Sequence, residues 1–358
     1  MIKEEKLTEK FLVDKKTSIK EAMMRMSEIG VKVLFVIDDN NKILGSLTDG
    51  DIRRWILKEG GLGEKVDQAY NRNPIFLKET YSVEEAKKAM LNNNVEGIPV
   101  VNNRGEVIEV LLWSHVFGRE ILPKQKLDMP VVIMAGGKGA RLDPLTRILP
   151  KPLIPIGERA IIDIIMERFS HHGIEEFYIS INHKAKMIKS YFEEMGAKYT
   201  VRYIEEEKPL GTAGSLRFLQ GRIQDSLLVS NCDIVVDCDY GEVIEFHNKY
   251  RYDITVIGSF KHFIIPYGVC EIEKDGLMTN ITEKPEYDFL VNTGVYVLRK
   301  NTLDLIEAEK VVHITDLIKA VRDNGGRVGV FPISEKSWID VGQLEEYRKT
   351  IKLLGGES

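Results

Sequence analysis

The sequence predicts a two-part α/β chain. A mostly parallel, helix-covered sheet occupies residues 131–358, and a repeated α+β module occupies residues 1–122. Three observations predict this. First, the opening third is internally repeated. An offset of 64 carries Ser18-Ile19-Lys20-Glu21-Ala22 onto Ser82-Val83-Glu84-Glu85-Ala86 and, with no gap, carries Met26 onto Met90, Val36 onto Val100 and Asp51 onto His115. Second, beyond residue 130, apolar runs of strand length (177–181, 226–230, 254–259) alternate with helical stretches (160–172, 187–195), the pattern of parallel strands joined by helices. Third, GREILPKQKLDMP at 118–130 carries two prolines and mixed charge and reads as a connection, with 123–130 as the linker proper.

Composition bounds the rest. A length of 358 residues allows two or three domains, and 43% hydrophobic with 29% charged residues is an ordinary globular balance. A net charge of −5 favours no nucleic-acid partner. Cys232, Cys238 and Cys270 are too few for a disulfide framework and lack metal-ligand spacing. No apolar run approaches the roughly 20 residues that cross a bilayer, and the opening MIKEEKLTEK lacks the apolar core of a secretory signal. These features read as a reduced, cytoplasmic protein without a membrane partner.

Within the repeat, the copies span about 7–60 and 66–122. Each opens on a helix whose Ser N-cap is followed three positions later by an acid, Glu21 or Glu85. A β-branched strand (33–37; 98–101), a polar turn (38–41; 102–105) and a second strand leading into a helix follow. This α-β-β-α unit resembles the CBS domain, and two in tandem resemble a CBS pair, a regulatory module that binds adenine nucleotides. One signature of that family is G-x-x-T-x-x-D. The first copy keeps it as Gly45, Thr48 and Asp51; the second has Glu109, Leu112 and His115, so at most one such site is expected. The resemblance implies that Thr48 meets a phosphate at a helix N-terminus and Asp51 a ribose. The same residues also suit a helix cap in a module that only assembles a homodimer. Both readings stand at this point.

The most informative string lies at 131–152, VVIMAGGKGARLDPLTRILPKP. A strand-like run empties into Gly136, Gly137 and Gly139, Arg141 follows at once, and Lys151 arrives ten positions later. Glycines remove the side chains that would keep backbone N–H groups from phosphate oxygens, and two cations can neutralise a polyphosphate. The string lacks the G-x-x-x-x-G-K-[ST] of a P-loop, and Leu142 breaks a G-x-G-x-x-G. It resembles instead the A-G-G-x-G-[ST]-R-L-x-P-L-T…K-P signature of the sugar-1-phosphate nucleotidyltransferases, through Ala135, Gly136, Gly137, Gly139, Arg141, Leu142, Pro144, Leu145, Thr146, Lys151 and Pro152, with Ala140 in place of the hydroxyl residue. That resemblance implies a Rossmann-like nucleotide-diphospho-sugar transferase fold with its ligand at the carboxyl ends of the strands.

Further segments extend it. Pro209, Gly211, Thr212 and Ala213 lie in KPLGTAG, which resembles the family's base-receiving loop in its guanylyl-transferring wording. Asn231-Cys232-Asp233 resembles N-G-D, and Trp338-Ile339-Asp340-Val341-Gly342 resembles W-x-D-x-G; the resemblance makes Asp233 and Asp340 the Mg²⁺ carboxylates, with Asp237 and Asp239 as nearby alternatives to the first. Tyr267-Gly268-Val269, Glu283-Lys284-Pro285 and Asn292-Thr293-Gly294 resemble sugar-pocket segments, which implies sugar contacts from Gly268, Glu283, Asn292 and Thr293 and a sugar-phosphate contact from Lys284. All seven histidines read as structural or solvent-facing. The pair His171-His172 ends a helix before Gly173, where imidazole suits the helix dipole. The implied reaction joins an NTP and a sugar 1-phosphate into an NDP-sugar and pyrophosphate. A CBS pair preceding such a transferase resembles the guanylyltransferases of bacterial nonulosonic (legionaminic) acid pathways, which implies GTP and glucosamine 1-phosphate. A guanylyltransferase for mannose or heptose 1-phosphate and a non-catalytic nucleotide sensor are the alternatives.

Overall fold

The computed structural model describes residues 8–118, 124–196 and 199–354. These fall into two units, Met1–Pro123 and Lys124–Ser358.

In the first unit, β1 (Leu12–Asp14), α1 (Ile19–Ile29), β2 (Val33–Ile37), β3 (Ile43–Thr48) and α2 (Asp49–Ile56) make the first repeat. The second consists of β4 (Leu77–Lys78), α3 (Val83–Asn93), β5 (Gly97–Val101), β6 (Val107–Leu112) and α4 (Trp113–Phe117). Ser18 and Ser82 start their helices through the expected capping boxes with Glu21 and Glu85. Each repeat is β-α-β-β-α rather than α-β-β-α. The additional strands, β1 and β4, pair parallel with β2 and β5 but are too short to show alternation in a sequence. The two repeats share one core, in which Phe11, Leu12, Val33 and Phe35 pack with Val101, Val107 and Val110. Backbone bonds stitch them together, from Ile43 N–H to Gly105 O at 3.1 Å and from Val107 N–H to Asn41 O at 3.0 Å.

The second unit is built on β7 (Val131–Met134). After it come α5 (Leu145–Ile148), a small hairpin of β8 (Pro155–Ile156) and β9 (Arg159–Ala160), α6 (Ile161–Ser170), β10 (Glu176–Ile181), α7 (Ala185–Glu194), β11 (Thr200–Glu205), β12 (Ser226–Asn231), β13 (Ile234–Val236) and α8 (Tyr240–Lys249). The chain continues through β14 (Ile254–Ile264), β15 (Val269–Ile272), β16 (Met278–Thr282), β17 (Glu286–Arg299), α9 (Ile314–Asp323), β18 (Val328–Ile333), β19 (Trp338–Asp340) and α10 (Leu344–Leu354). Seven strands form one sheet in the order β11-β10-β7-β12-β17-β14-β18. Only β17 runs antiparallel to its neighbours in it, so the sheet is mostly parallel, as expected. Along β7, Val131 and Ile133 enter one core cluster while Val132 and Met134 enter the other. A strand buried on both faces reads as an unbroken apolar run, which is why VVIM shows no alternation.

Residues 124–130, expected as linker, belong to the second unit; part of the expected connection, 119–123, lies outside the described residues. Leu127 N–H donates to His172 O at 2.8 Å, and the His172 ring meets Gln125 O through Nδ1 at 3.1 Å. Tyr240 N–H donates to the Nε2 of the same ring at 3.4 Å, so the proton sits on Nδ1. Burial pushes the pKa of both His171 and His172 down, which works against the charged form that a helix C-terminus favours, and His172 acts as a buried structural tie.

Candidate active site

The carboxyl end of β7 delivers the glycine loop. Met134 lies opposite Asn231 of β12 and opposite Ser180 of β10, so these three strands end together. Gly139 is left-handed at φ +69°, and a methyl there would stand 2.8 Å from the Thr146 methyl. Thr146, itself buried, donates its hydroxyl to Gly139 O at 3.0 Å and closes the turn. Ala135 is buried beneath the loop, Gly136 and Gly139 are half-buried, and Gly137 is exposed. Arg141, exposed on the short helical turn that follows, has no ion-pair partner among the described residues.

Lys151 points back toward the loop, and its ammonium contacts Asp233 Oδ2. Burial acts to lower the pKa of this ammonium, but the neighbouring thiol and carboxylate outweigh it and the net shift is upward. Burial also pushes the Cys232 thiol up to about 12, so at neutral pH the thiol carries no charge and Asp233 is the partner that counts. Asp233 is only 5% exposed. Antiparallel pairing of β13 with β19 brings Asp340 beside it: Ile234 lies opposite Asp340, and Val341 N–H donates to Asp233 O at 3.0 Å. The two carboxylates converge on Gly342. A methyl on that glycine would overlap Asp233 Oδ2 and stand 2.9 Å from Asp340 Oδ1, and Gly342 N–H donates to Asp340 Oδ1 at 2.7 Å. Burial raises the Asp340 pKa, with the Gly342 N–H acting against it and the Asp233 charge adding to it. Two convergent carboxylates with no third Asp, Glu, His or Cys among the described residues are an incomplete cage for a metal. They fit a hard cation that completes its shell with waters and substrate phosphates, the habit of Mg²⁺. Asp239 is taken up as the N-cap of α8, its Oδ1 accepting from Gly241 and Glu242 N–H, and Asp237 lies 3.9 Å from Arg168.

Of the other expected segments, residues 292–294 touch the Asn231–Asp233 segment, while 209–213, 267–269 and 283–285 make their contacts elsewhere. Gly211 is left-handed at φ +84°, and a methyl there would stand 2.5 Å from Val312 O. Ala213 N–H donates to that carbonyl at 3.0 Å, and Thr212 Oγ1 accepts from Ile314 N–H at 2.9 Å. The loop expected to receive the base is thus pinned on the segment entering α9; Pro209 is exposed and Ala213 buried. Gly294, φ +91°, leaves room for the Asn231 amide, which joins the N-C-D and N-T-G segments. The buried Thr293 turns inward and donates to Ile257 O at 2.8 Å, at the irregularity between β14 and β17, so a ligand could meet only its backbone. Asn292 is exposed, with its amide on Tyr296 OH at 2.8 Å and its carbonyl on Gly294 N–H at 3.0 Å. Glu283 packs against Gly268, where a methyl would stand 2.9 Å from Oε2. Lys284 is exposed, at φ +46°.

Sequence reasoning missed Glu206. This residue is 8% exposed and precedes the base loop. A buried carboxylate needs donors, and Glu206 has them: the Ser180 hydroxyl on Oε1 and Leu210 N–H on Oε2 at 3.0 Å. The only signal in the sequence is a run of three glutamates, which normally means a solvated face.

In the first unit, the Thr48 hydroxyl accepts from Asp51 N–H at 3.1 Å and donates to Asp51 Oδ2 at 2.6 Å, and Thr48 N–H donates to the same oxygen at 2.8 Å. Arg54 takes Oδ1 at 2.5 Å. Both oxygens of Asp51 are therefore engaged within the unit. A methyl on Gly45 would overlap the Tyr70 ring and Asn71 O, so chain packing alone accounts for that glycine.

Residues 7–58 and 66–118 match the family described as CBS domain. Among curated proteins, residues of this chain are 30% identical over 223 positions to the bifunctional protein GlmU of Methanococcus maripaludis, covering 60% of this chain and 51% of that protein. They are 29% identical over 229 positions to the mannose-1-phosphate guanyltransferase of Debaryomyces hansenii, covering 61% and 62%. The chain thus spans between about half and somewhat under two thirds of the length of these relatives. Among solved structures, HddC from Yersinia pseudotuberculosis superposes with a TM-score of 0.51 at 26% identity, over 63% of this chain and 99% of that one. Residues 130–355, well over half of the sequence, match the family described as Nucleotidyl transferase, and the chain belongs to that family.

Proposed function

We propose that this chain is a sugar-1-phosphate nucleotidyltransferase that joins GTP and glucosamine 1-phosphate into GDP-glucosamine and pyrophosphate. The observation that carries the reaction class is the convergence of Asp233 and Asp340 on Gly342, with Lys151 on Asp233, beside a glycine loop that ends in Arg141. The guanylyl donor rests on the wording of residues 209–214. It is supported by the guanyltransferase among the relatives and by an HddC structure described as complexed with GMP-PN.

The sugar phosphate has a second pKa near ~6 and is largely dianionic at neutral pH. One of its oxygens attacks the α-phosphorus in line, the bond to the bridging oxygen breaks, and pyrophosphate carries away the electron pair. No general base is required. The obstacle is repulsion between anions, so the protein contributes position and positive charge. Arg141 and the glycine-loop amides hold the triphosphate. Lys151, kept protonated by Asp233, adds charge at the reacting phosphate, and Lys284 draws in the sugar phosphate. Asp233 and Asp340 would hold Mg²⁺, which supplies further neutralisation of the α-phosphate. A pyrophosphate-release assay with four NTPs against a panel of sugar 1-phosphates tests this. Expected is GTP ahead by at least about tenfold in kcat/KM, about 1.4 kcal/mol. Another donor winning would sink the guanylyl reading, and no release with any pair would leave a nucleotide sensor. Mannose 1-phosphate as preferred acceptor is the second reading, favoured by the name of the Debaryomyces relative.

A further inference from the structure

Asp340 is held beside Asp233 by a small piece of structure. β13 and β19 pair over three positions and form a two-stranded sheet separate from the seven-stranded one. A two-stranded piece is marginal by itself, so its place depends on what packs against it. Trp338, the first residue of β19, lies two positions before Asp340 and therefore on the same face of the strand. A shift of Trp338 moves Asp340 with it.

Two side chains of β14 reach the entrance to β19. β14 keeps β18 as a neighbour as far as the pair Ser259 and Ile333; the chain then leaves β18 and turns through 334–337 into β19. Ser259 and Lys261 share one face of β14, and both meet that turn. The fully buried Ser259 divides its hydroxyl between Phe260 O at 3.2 Å and Ser334 O at 3.4 Å. Lys261 Nζ pairs with Glu335 Oε1 at 2.7 Å and stands over the Trp338 ring, 5.3 Å from its centre. The ion pair is 31% and 44% exposed on its two sides, and such a pair holds little alone. The indole gives the ammonium a second partner within cation–π range. Trp338 Nε1–H is buried with no hydrogen-bond partner, so no polar bond fixes the ring. Its place is set by the core that it packs on and by the ammonium over its face.

We infer that Lys261 is a positioning residue. Through Glu335 and Trp338 it sets how β19 lies on β13, and thereby the spacing of Asp340 from Asp233. The inference rests on the reading of these two carboxylates as the pair that holds a divalent cation. The Lys261 ammonium is spent on Glu335 and the indole, so its influence runs through the strand. Methionine at this position keeps the apolar stem and removes the charge. Arginine keeps the charge, pairs with a carboxylate and stacks on an indole face.

The test uses the full chain and two readouts. Hydrogen exchange followed by mass spectrometry reads residues 334–342, where Val341 N–H donates to Asp233 O and Gly342 N–H to Asp340 Oδ1. It needs neither metal nor turnover. Pyrophosphate release from GTP and glucosamine 1-phosphate, titrated with Mg²⁺, reads the carboxylate pair. Expected for Lys261→Met is exchange in 334–342 faster by about tenfold, with the seven-stranded sheet unchanged. The Mg²⁺ half-saturation should rise about tenfold, the lower end for residues that orient metal ligands, with both substrate KM values within about twofold at saturating Mg²⁺. Expected for Lys261→Arg is recovery of exchange and Mg²⁺ dependence to within about threefold of wild type. Glu335→Gln leaves the ammonium over the indole and should shift both readouts the same way by less. Unchanged exchange in Lys261→Met would overturn the inference, as would an arginine variant as impaired as the methionine one. Faster exchange with unchanged Mg²⁺ dependence would also overturn it, reducing Lys261 to a structural tie. Failure of the metal reading looks different: Asp340→Asn would turn over normally while Lys261→Met still loosened 334–342, and the positional result would stand.

Discussion

Two regions of this chain carry a glycine, a hydroxyl or cation, and an aspartate at the spacing of a nucleotide site, and they differ in what those groups are doing. In the first CBS repeat, every polar atom of the signature has a partner inside the unit: Asp51 holds the N-terminus of α2 with one oxygen and Arg54 with the other, and Gly45 makes room for Tyr70. In the transferase unit, Arg141 and Lys284 stand exposed without ion-pair partners among the described residues, while Asp233 and Asp340 are pressed together with Lys151 between Asp233 and the glycine loop. Charge that has been neutralised locally can support a fold; charge that is gathered and left uncompensated needs a ligand. A motif is an inventory of residue types, and only the structure shows which atoms are still available.

The comparison can be broken first at the two carboxylates proposed to hold the metal. Asp233→Asn and Asp340→Asn should each lower kcat by at least ~100-fold, on the order of 3 kcal/mol, with the circular dichroism of the fold retained. Normal turnover in both would place the chemistry elsewhere. Gly342→Ala is a sharper probe because it changes no charge. A methyl there displaces the two carboxylates, and a displacement of about 1 Å can cost on the order of 100-fold in rate; steady-state kinetics at saturating Mg²⁺ should show the loss in kcat. Burial without function has its own measure in His247, which is fully buried with Nδ1 on Thr255 Oγ1 at 2.9 Å and a pKa lowered to about 4. A ring neutral when folded and titrating near ~6.5 when unfolded gives stability that is complete above pH ~6.5 and lost as pH falls toward 4. Urea unfolding should show about 2 kcal/mol more loss from pH 7 to pH 5 in the wild type than in His247→Asn. Equal slopes would mean that the ring is already charged in the fold. The smallest effect belongs to the cap. Asp51→Ala should cost about 1 kcal/mol of stability in the first unit. Titration of the full chain with AMP, ADP and ATP should give heats that do not depend on Asp51; heats that vanish in the variant would make that aspartate a nucleotide contact.

Much of this was legible in the sequence because it follows from local chemistry. Ser18 with Glu21 and Ser82 with Glu85 announce their caps within four residues, and VVIM followed by glycines announces a buried strand entering a turn. What stayed hidden depends on distant partners. The pairing of β13 with β19, which joins Asp233 to Asp340, spans over a hundred positions and leaves no periodic trace. Glu206 looked like one of three surface glutamates because its donors, Ser180 and Leu210, approach it only once β10 and β11 are paired. Thr293 looked like a ligand contact until the bulge between β14 and β17 turned its hydroxyl inward. Strands of two or three residues escape for another reason: pairing geometry, not side-chain pattern, defines them.

The strap of residues 124–130 has a mechanical consequence. It is fastened to His172 at the amino end of the sheet, and the four residues of β7 lie between Pro130 and the turn into the glycine loop. At about 3.3 Å per residue that is a rod of roughly 13 Å. β7 is clamped on both sides by the ladders of β10 and β12, so a tug on the strap is resisted across its whole length before it reaches Gly136. The glycine loop is thereby insulated from a pull on residues 124–130.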